Sequence, residues 1–386
     1  MNEHELRRSL ARAADGEYAA ARERAWDVVA AAHREWQPAR RSRGRLGPAA
    51  LLAALALIAG GAVAAATTPH SGVGKLVRDV LGIGEPHARP ALVRVPGGGR
   101  LLVQSGHSAW VVQPGGSRRR LGTYDGAAWS PHGLFVVAWH GGVLTATEPS
   151  GRVRWSLSRP SRISAARWSP VDGFRIAYLA GGSLRIVNGD GAGDHRYGAA
   201  DAGVAPAWRP DNAHVLAYVD AGGRVTVAAI DLRRRLWHST PVRGPLSLSW
   251  SANGRRLLVL ARDRVSVYDA AGHVMAMRSL PGVRFAAWSP RGPVAVTRSR
   301  AGASELLLLD RSLRARVLFS GPGSFGAPAW APDGRSLLLP WPSAGQWLFL
   351  APHRAARPVA VANVAAQFAP GARRPAFPRA VQRCCP

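Results

Sequence analysis

The chain has 386 residues, with 51 Lys+Arg against 23 Asp+Glu and a formal net charge of +28. Hydrophobic residues make up 47% and charged residues 19%, which excludes wholesale disorder and leaves room for a sizeable core. The only cysteines, Cys384 and Cys385, are adjacent, which excludes a disulfide framework and a Cys-based zinc site.

In chain order, residues 1–46 are expected to form a cytoplasmic amphipathic helix with a basic flank. Glu3, Glu5 and Glu17 alternate with Arg7, Arg8, Arg12, Arg22 and Arg24, while Leu6, Leu10, Ala13, Trp26, Val29, Ala30 and His33 fall at helical spacing. Two readings stay open: a solvated helix resting on anionic lipid, or a docking helix for a cytoplasmic partner, anchored by Trp26 and Trp36.

Residues 47–66 (GPAALLAALALIAGGAVAAA) are 20 residues without a charge. At about 1.5 Å per residue they span roughly 30 Å, the depth of the hydrocarbon core. Arg40, Arg41, Arg43 and Arg45 precede them and Lys75, the only lysine, is the first charge after them. The asymmetry predicts a retained signal-anchor, with the N-terminus cytoplasmic and the rest extracytoplasmic. A cleaved signal peptide is the alternative, since Ala64-Ala65-Ala66 satisfies the small-residue rule; a buried helix is another. Residues 67–90 read as a juxtamembrane helix, with Val73, Leu76, Val77, Val80 and Leu81 on one side, followed by a Pro-bearing linker.

From residue 91 helical periodicity gives way to short alternating strands and to internal repetition. The repeated phrases are Trp129-Ser130-Pro131, Trp168-Ser169-Pro170, Trp208-Arg209-Pro210, Trp250-Ser251-Ala252, Trp288-Ser289-Pro290 and Trp330-Ala331-Pro332, with a weaker Phe368-Ala369-Pro370. Their spacings are 39, 40, 42, 38, 42 and 38 residues. Most lead into a turn, as in Asn253-Gly254 or Asp333-Gly334, and then into an apolar strand, a second tight turn and further strands. Four short antiparallel strands per repeat of this length make one propeller blade. Proline presets the turn, Gly supplies its positive φ, and the large aromatic ring is expected to fill the wedge between adjacent blades.

The Trp-Ser-Pro phrase with its Asp-Gly turn resembles the TolB-type, or WD40-like, β-propeller repeat, over about residues 91–380. Two units end instead in the manner of the quinoprotein repeat, at Trp155 and at Leu236-Trp237. The anchor-plus-propeller arrangement is similar to that of membrane-anchored propeller proteins of high-GC actinobacteria. The resemblance implies fold and location, and no single activity. The fold class is therefore all-β: a seven-bladed propeller over residues 91–381 with a tail at 382–386, six or eight blades staying open. Residues 91–124 are expected to supply strands of one blade, and Ala365 to Phe377 to pair with them and close the ring.

Chemistry is sparse. No nucleophile elbow, P-loop or dinucleotide fingerprint is present, and the histidines lack metal-ligand spacing. The run Asn188 to Asp194 could hold Ca²⁺, yet lacks a bidentate Glu and reads better as a turn. No catalytic residue, cofactor or metal is therefore assigned. The rival reading, a quinoprotein-like or hydrolytic propeller enzyme, requires acids or histidines clustered around the channel. Beyond residue 46 there are 41 Lys+Arg and 16 acids, a field suited to anionic partners. A GC-rich coding bias would give the same surplus.

A protein partner is expected, with anionic lipid or an acidic wall polymer as further partners; nucleic acid is not expected. Candidate recognition residues lie in loops between second and third strands: Trp139, His140, Asp220, Arg262, Asp263, Arg264 and Trp341. Trp139 and Trp341 stand outside the repeat's Trp position, which favours recognition, although each could equally pack beneath its neighbouring blade. The overall expectation is a non-catalytic, membrane-anchored scaffold or sensor. A signalling version has the cytoplasmic helix hold a partner such as a sigma factor.

Overall fold

The structure, a computed structural model, describes residues 92, 94–171, 173–211, 213–353, 358–368, 376–378 and 380–385. The expected cytoplasmic helix (1–46), membrane span (47–66) and juxtamembrane segment (67–90) lie outside the described residues. Among the described residues no helix is long and apolar enough to cross a membrane.

Seven four-stranded antiparallel sheets form the described chain. The first blade contains β1 (Arg100–Ser105), β2 (Ser108–Val112) and β3 (Arg118–Thr123), and the second β4 (Gly126–Trp129), β5 (Val136–His140), β6 (Val143–Thr147) and β7 (Val153–Ser158). The third holds β8 (Ile163–Trp168), β9 (Arg175–Ala180), β10 (Ser183–Asn188) and β11 (His195–Ala199). The fourth holds β12 (Ala207–Trp208), β13 (Val215–Val219), β14 (Arg224–Ala229) and β15 (Arg234–Pro241). Next come β16 (Pro245–Trp250), β17 (Arg256–Ala261), β18 (Arg264–Asp269) and β19 (Val274–Ser279), then β20 (Val283–Trp288), β21 (Val294–Arg300), β22 (Ala303–Leu309) and β23 (Ala315–Pro322). The seventh blade is β24 (Ala329–Trp330), β25 (Leu337–Trp341), β26 (Gln346–Leu350) and β27 (Val359–Val361).

The first strand of each of these last six blades touches the first strand of the next, and β28 (Ala380–Cys384) completes the ring between β24 and β4. These seven strands are the innermost, and the strand order within each sheet puts β3, β7, β11, β15, β19, β23 and β27 outermost. Between blades the core is largely aliphatic: Val137, Leu144, Ile176 and Tyr178 meet at one joint, and Val215, Ala217, Val227 and Leu257 at another.

The tryptophan of each phrase ends an inner strand and packs against the preceding blade, as Trp168 does against Ala128 and Val137. Four of the indoles also tie the joints. Trp208, Trp250, Trp288 and Trp330 donate Nε1–H to the carbonyls of Arg167, Ala207, Ser249 and Ala287, at 3.0 to 3.1 Å. Each acceptor is the residue just before the previous blade's Trp, so one bond recurs around four consecutive joints. Trp129 and Trp168, by contrast, have buried Nε1 atoms without a partner among the described residues. Replacing Trp208, Trp250, Trp288 or Trp330 by Phe is therefore expected to cost about 0.5–1.5 kcal/mol more than Trp129→Phe, because only there does a partly buried carbonyl lose its donor. Urea unfolding midpoints of the single variants measure the difference.

The serine of the phrase closes the hairpin that follows. Ser130, Ser169 and Ser251 accept through Oγ from the backbone N–H of Phe135, Arg175 and Arg256, at 2.9 to 3.1 Å. Gly254 in the Ser251 hairpin and Gly334 in the turn after Trp330-Ala331-Pro332 stand at φ of 68° and 64°, which a side chain would strain.

Closure departs from the expectation. The strand that completes the first blade is β28, pairing antiparallel with β1 from Arg100↔Cys384 to Gln104↔Ala380, rather than the segment Ala365 to Phe377. Strand pairing thus extends to Cys384, past the expected boundary at Val381, and Cys384 and Cys385 form a disulfide there. Arg383 opposes Leu101 in the register where Trp330 opposes Leu337. Its guanidinium donates to the carbonyls of Pro96 (2.8 Å) and Gly98 (2.7 Å) and to Ser336 Oγ (3.2 Å). Burial draws the Arg383 guanidinium down to about 10, against the opposing influence of Asp333. Phe368 holds no repeat position: it caps a single helical turn, α1 (Val364–Gln367), and packs buried against Trp110 and Trp347.

Candidate functional site

Strand direction alternates within a blade, so the Trp-Ser-Pro turns and the turns between third and fourth strands project from one face of the disc. The loops between second and third strands, where the candidate residues lie, project from the other. Two clefts open on the Trp-Ser-Pro face.

The larger, of about 520 Å³, lies between the second and third blades and is lined by Pro131, His132, Phe135, Trp168, Arg175 and Asp190 among others. Phe135 stacks on Trp168 at 6.4 Å, forming an aromatic floor. On its lips stand Leu134 and Phe174, 62% and 64% exposed. Both lie five or six residues after their Trp and lead into a second strand, so the repeat itself places them side by side on adjacent blades. His132, with φ of 61°, tightens the turn that turns Leu134 outward. The smaller cleft, of about 350 Å³, sits at the inner ends of the sixth, seventh and first blades, beside Trp288, Trp330, Gln382, Arg383 and Cys385.

The channel wall has a simple composition. Among the described residues the seven inner strands contain no Asp, Glu or His; their charges are Arg167, Arg284 and Arg383. Arg167 donates to the neighbouring Ala166 carbonyl (2.8 Å), and burial lowers its pKa from the ordinary guanidinium value. Inner strands of this kind supply no general acid or base at pH 7.

The candidate residues on the opposite face take different roles. Trp139 and Trp341 are 7% and 2% exposed, and both rings pack inward. Trp139 lies across Gly126, where a Cβ would come within 2.2 Å of the ring. Trp341 donates Nε1–H to the Pro322 carbonyl (3.0 Å) inside a cage of Phe319 and Phe325. Asp220 is spent on its own turn, accepting from the N–H groups of Gly222 (2.9 Å) and Arg224 (3.0 Å). Arg262, Asp263 and Arg264 are exposed on a tight turn.

His140 joins a cluster that spacing did not reveal. Asp125 Oδ2 accepts from Gly141 N–H (3.0 Å) and faces Arg162 Nη2 (3.3 Å), while its Oδ1 lies 3.1 Å from His107 Nδ1 and 3.4 Å from His140 Nδ1. The Gly141 hydrogen bond, chiefly, holds the Asp125 carboxyl below its ordinary value; partial burial opposes it, and His107, His140 and Arg162 add to the lowering. A carboxyl depressed in the folded state stabilises the fold above its unfolded pKa of about 3.9 and loses that contribution as pH falls through the folded value. Asp125→Asn is accordingly expected to flatten the fall of the thermal midpoint below about pH 4, measured against the parent from about pH 6 to pH 3.

The Asn188–Asp194 run forms the turn between β10 and β11. Asp190 caps Ala192 N–H (2.9 Å), and Asp194 turns inward to Arg159, Arg185 and Tyr178. The two quinoprotein-like endings have a packing role. Trp155 and Trp237 lie over Gly191 and Gly272 of the next blade and donate to the carbonyls of Gly189 (2.9 Å) and Ala270 (3.0 Å).

No family model and no curated protein sequence matches the chain. Solved structures do. The β-propeller domain of Myceliophteria thermophila Cps50 (Swd1) is 15% identical, with 66% of this chain and 97% of that one covered and a TM-score of 0.54. The C-terminal WD40 domain of Sif2 is 14% identical over 74% of this chain and 83% of its own, at 0.52. Saccharomyces cerevisiae Sqt1 is 12% identical over 68% and 82%, at 0.54. At such identities the likeness shows the fold: a WD40-type β-propeller with seven blades.

Proposed function

We propose that this chain is a non-catalytic scaffold or sensor whose propeller binds a protein partner on the Trp-Ser-Pro face. The observation that carries the reading is the pair Leu134 and Phe174, large apolar side chains exposed on the lips of an aromatic-floored cleft. Exposed apolar residues grouped around a concavity mark interaction sites far more often than scattered ones do. The acid-free, His-free inner strands support a binding role over the rival enzyme reading. A structural neighbour at 16% identity was solved in the mitotic checkpoint complex, which is in keeping with use of this fold within complexes.

The finer reading rests on sequence. The Trp-Ser-Pro and Asp-Gly phrases support a TolB-type repeat, and the arginine asymmetry around residues 47–66 supports a membrane anchor with an extracytoplasmic propeller. Residues 1–46 would then hold a cytoplasmic partner in the manner of an anti-sigma-like regulator.

The test is a crosslinked capture from native membranes with the tagged full chain, Leu134→Asp/Phe174→Asp, and a version lacking residues 1–37. A protein captured by the parent and lost with the double variant supports the cleft as the binding surface; equal capture by both overturns it. A cytoplasmic protein lost only on deleting residues 1–37 supports the signalling version.

A further inference from the structure

The seven outermost strands form the rim of the disc, and their charge is one-sided. They carry nine arginines: Arg118–Arg120 on β3, Arg234 and Arg235 on β15, and one each on β7, β11, β19 and β23. Among the described residues they carry no Asp or Glu. Of the nine, Arg154 alone meets a carboxylate among the described residues, Glu148 at 2.6 Å. Others rest on neutral oxygens, as Arg120 does on Ser108 Oγ and Arg196 on Ser183 Oγ.

The acids beside the rim stand at strand ends and in turns: Asp269 ends β18 and Asp310 opens the turn before β23, each accepting two backbone N–H groups at 2.8 to 2.9 Å, while Glu148, before β7, reaches Arg154. A coding bias explains arginine in place of lysine, and turn preference draws Asp out of the strands; the result on the outer strands is a surface of one-sided charge. Each of six consecutive blades contributes at least one of these arginines.

Its shape and chemistry select a ligand. A disc standing on a flat bilayer would touch it along one arc, whereas a flexible chain can follow it from blade to blade. Guanidinium forks match phosphate oxygens in pairs. Among the described residues the aromatic rings of the outer strands are engaged in packing rather than presented for base stacking: Trp155 and Trp237 lie on Gly191 and Gly272 with their indole N–H groups bonded, Tyr197 meets Tyr218, and Phe319 meets Phe325 and Trp341. We propose that the rim is a binding track for a flexible linear phosphate polymer, recognised through its phosphates alone. This goes beyond the protein-binding reading and does not depend on it.

The competing explanation is protective: charged side chains on outer strands discourage edge-to-edge pairing. The test uses the full chain with fluorescently labelled long-chain inorganic polyphosphate and, separately, an abasic phosphodiester oligomer. Binding of either is expected to weaken about tenfold or more between roughly 50 and 200 mM salt, on the order expected when several phosphates are neutralised. Replacing Arg119, Arg120, Arg234 and Arg235 together by Gln is expected to weaken binding about tenfold or more, at an unchanged thermal midpoint. Replacing Arg224, Arg243, Arg262 and Arg264, exposed residues off the rim, makes the same change in net charge and is expected to weaken it about threefold or less. The tighter of the two probes identifies the phosphate source. Equal losses in both quadruple variants reduce the effect to net charge and overturn the track. So does binding to anionic vesicles but to neither polymer, and so does a rim variant that self-associates while the parent binds no polymer.

Discussion

Removal of residues 380–386 is expected to abolish the cooperative unfolding of the propeller, leaving a chain that protease digests rapidly at room temperature. These residues include the whole of β28, the inner strand of the first blade, so the truncation opens the ring between β24 and β4. Val381 leaves the cluster formed by Leu101, Val103 and Phe349, a loss of about 1.5–3 kcal/mol for a buried aliphatic side chain. Arg383 takes with it three hydrogen bonds, and Gln382 takes its link to the Ala127 carbonyl (3.0 Å) across the joint, each worth roughly 0.5–1.5 kcal/mol. The backbone of β1 is left unpaired on its channel side. Such losses reach the order of the ~5–15 kcal/mol by which whole domains are stable. Circular dichroism melts of the truncated and parent chains, with limited proteolysis, provide the comparison. A truncated chain melting within a few degrees of the parent would show that the six other blades hold the ring without the clasp.

The second large effect is expected at Asp194. Its carboxylate is 4% exposed and is met by Arg159, by Arg185 Nη2 at 2.5 Å and by the Tyr178 hydroxyl at 2.5 Å. Tyr178 is fully buried in the joint between the second and third blades. Burial, followed by the bond to Asp194, raises the Tyr178 hydroxyl above its ordinary value, while the Asp194 bond chiefly raises Arg185. Asp194→Ala leaves a buried phenol without its acceptor and two guanidiniums without their counter-charge, at a cost of about 3 kcal/mol. Both arginines keep some access to water, which holds the figure at the lower end. Asp194→Asn retains the shape and one acceptor and is expected to cost about half as much. Guanidinium chloride midpoints settle the ranking, and a cycle with Arg185→Ala isolates the pair. An Asp194→Ala chain as stable as the parent would mean that the arginines carry the joint through their aliphatic stems.

The architecture was legible because the blades repeat the same physical solution at nearly constant spacing. The phrase that starts a blade encodes an inner-strand end, a wedge-filling ring and a tight hairpin, and all three leave marks in sequence. The closing strand left none. Its partner β1 lies at the other end of the propeller, so no hairpin turn joins them and neither Pro nor Gly is required. With Arg383 in the tryptophan's register, AVQRC has no resemblance to the other inner strands, and Phe368 offered a false match in its place.

Candidate recognition residues were harder to read, because a strand pattern does not say which face of a disc is used. Trp139 stood out for lying off the repeat, yet its cross-strand neighbour is Gly126, which makes room for the ring. That pairing was a usable sign of packing, as was Gly321 beneath Trp341. Leu134 and Phe174 sat in plain view inside two repeats, but only the adjacency of their blades makes them a pair. The arginine runs at 118–120 and 233–235 were visible as isolated clusters. Their union into a girdle requires knowing that every fourth strand is outermost.

The clasp between β1 and β28 also orders events in time. The closing strand follows all the others in the chain, so a nascent propeller emerging from the ribosome has every blade but one available and no ring to belong to. Until β28 arrives, the channel-side edge of β1, with Leu101 and Val103 at its centre, is an open template for any extended segment nearby. A chaperone or translocation partner that shields that edge would be needed for only one interval, between synthesis of the first blade and delivery of the last strand.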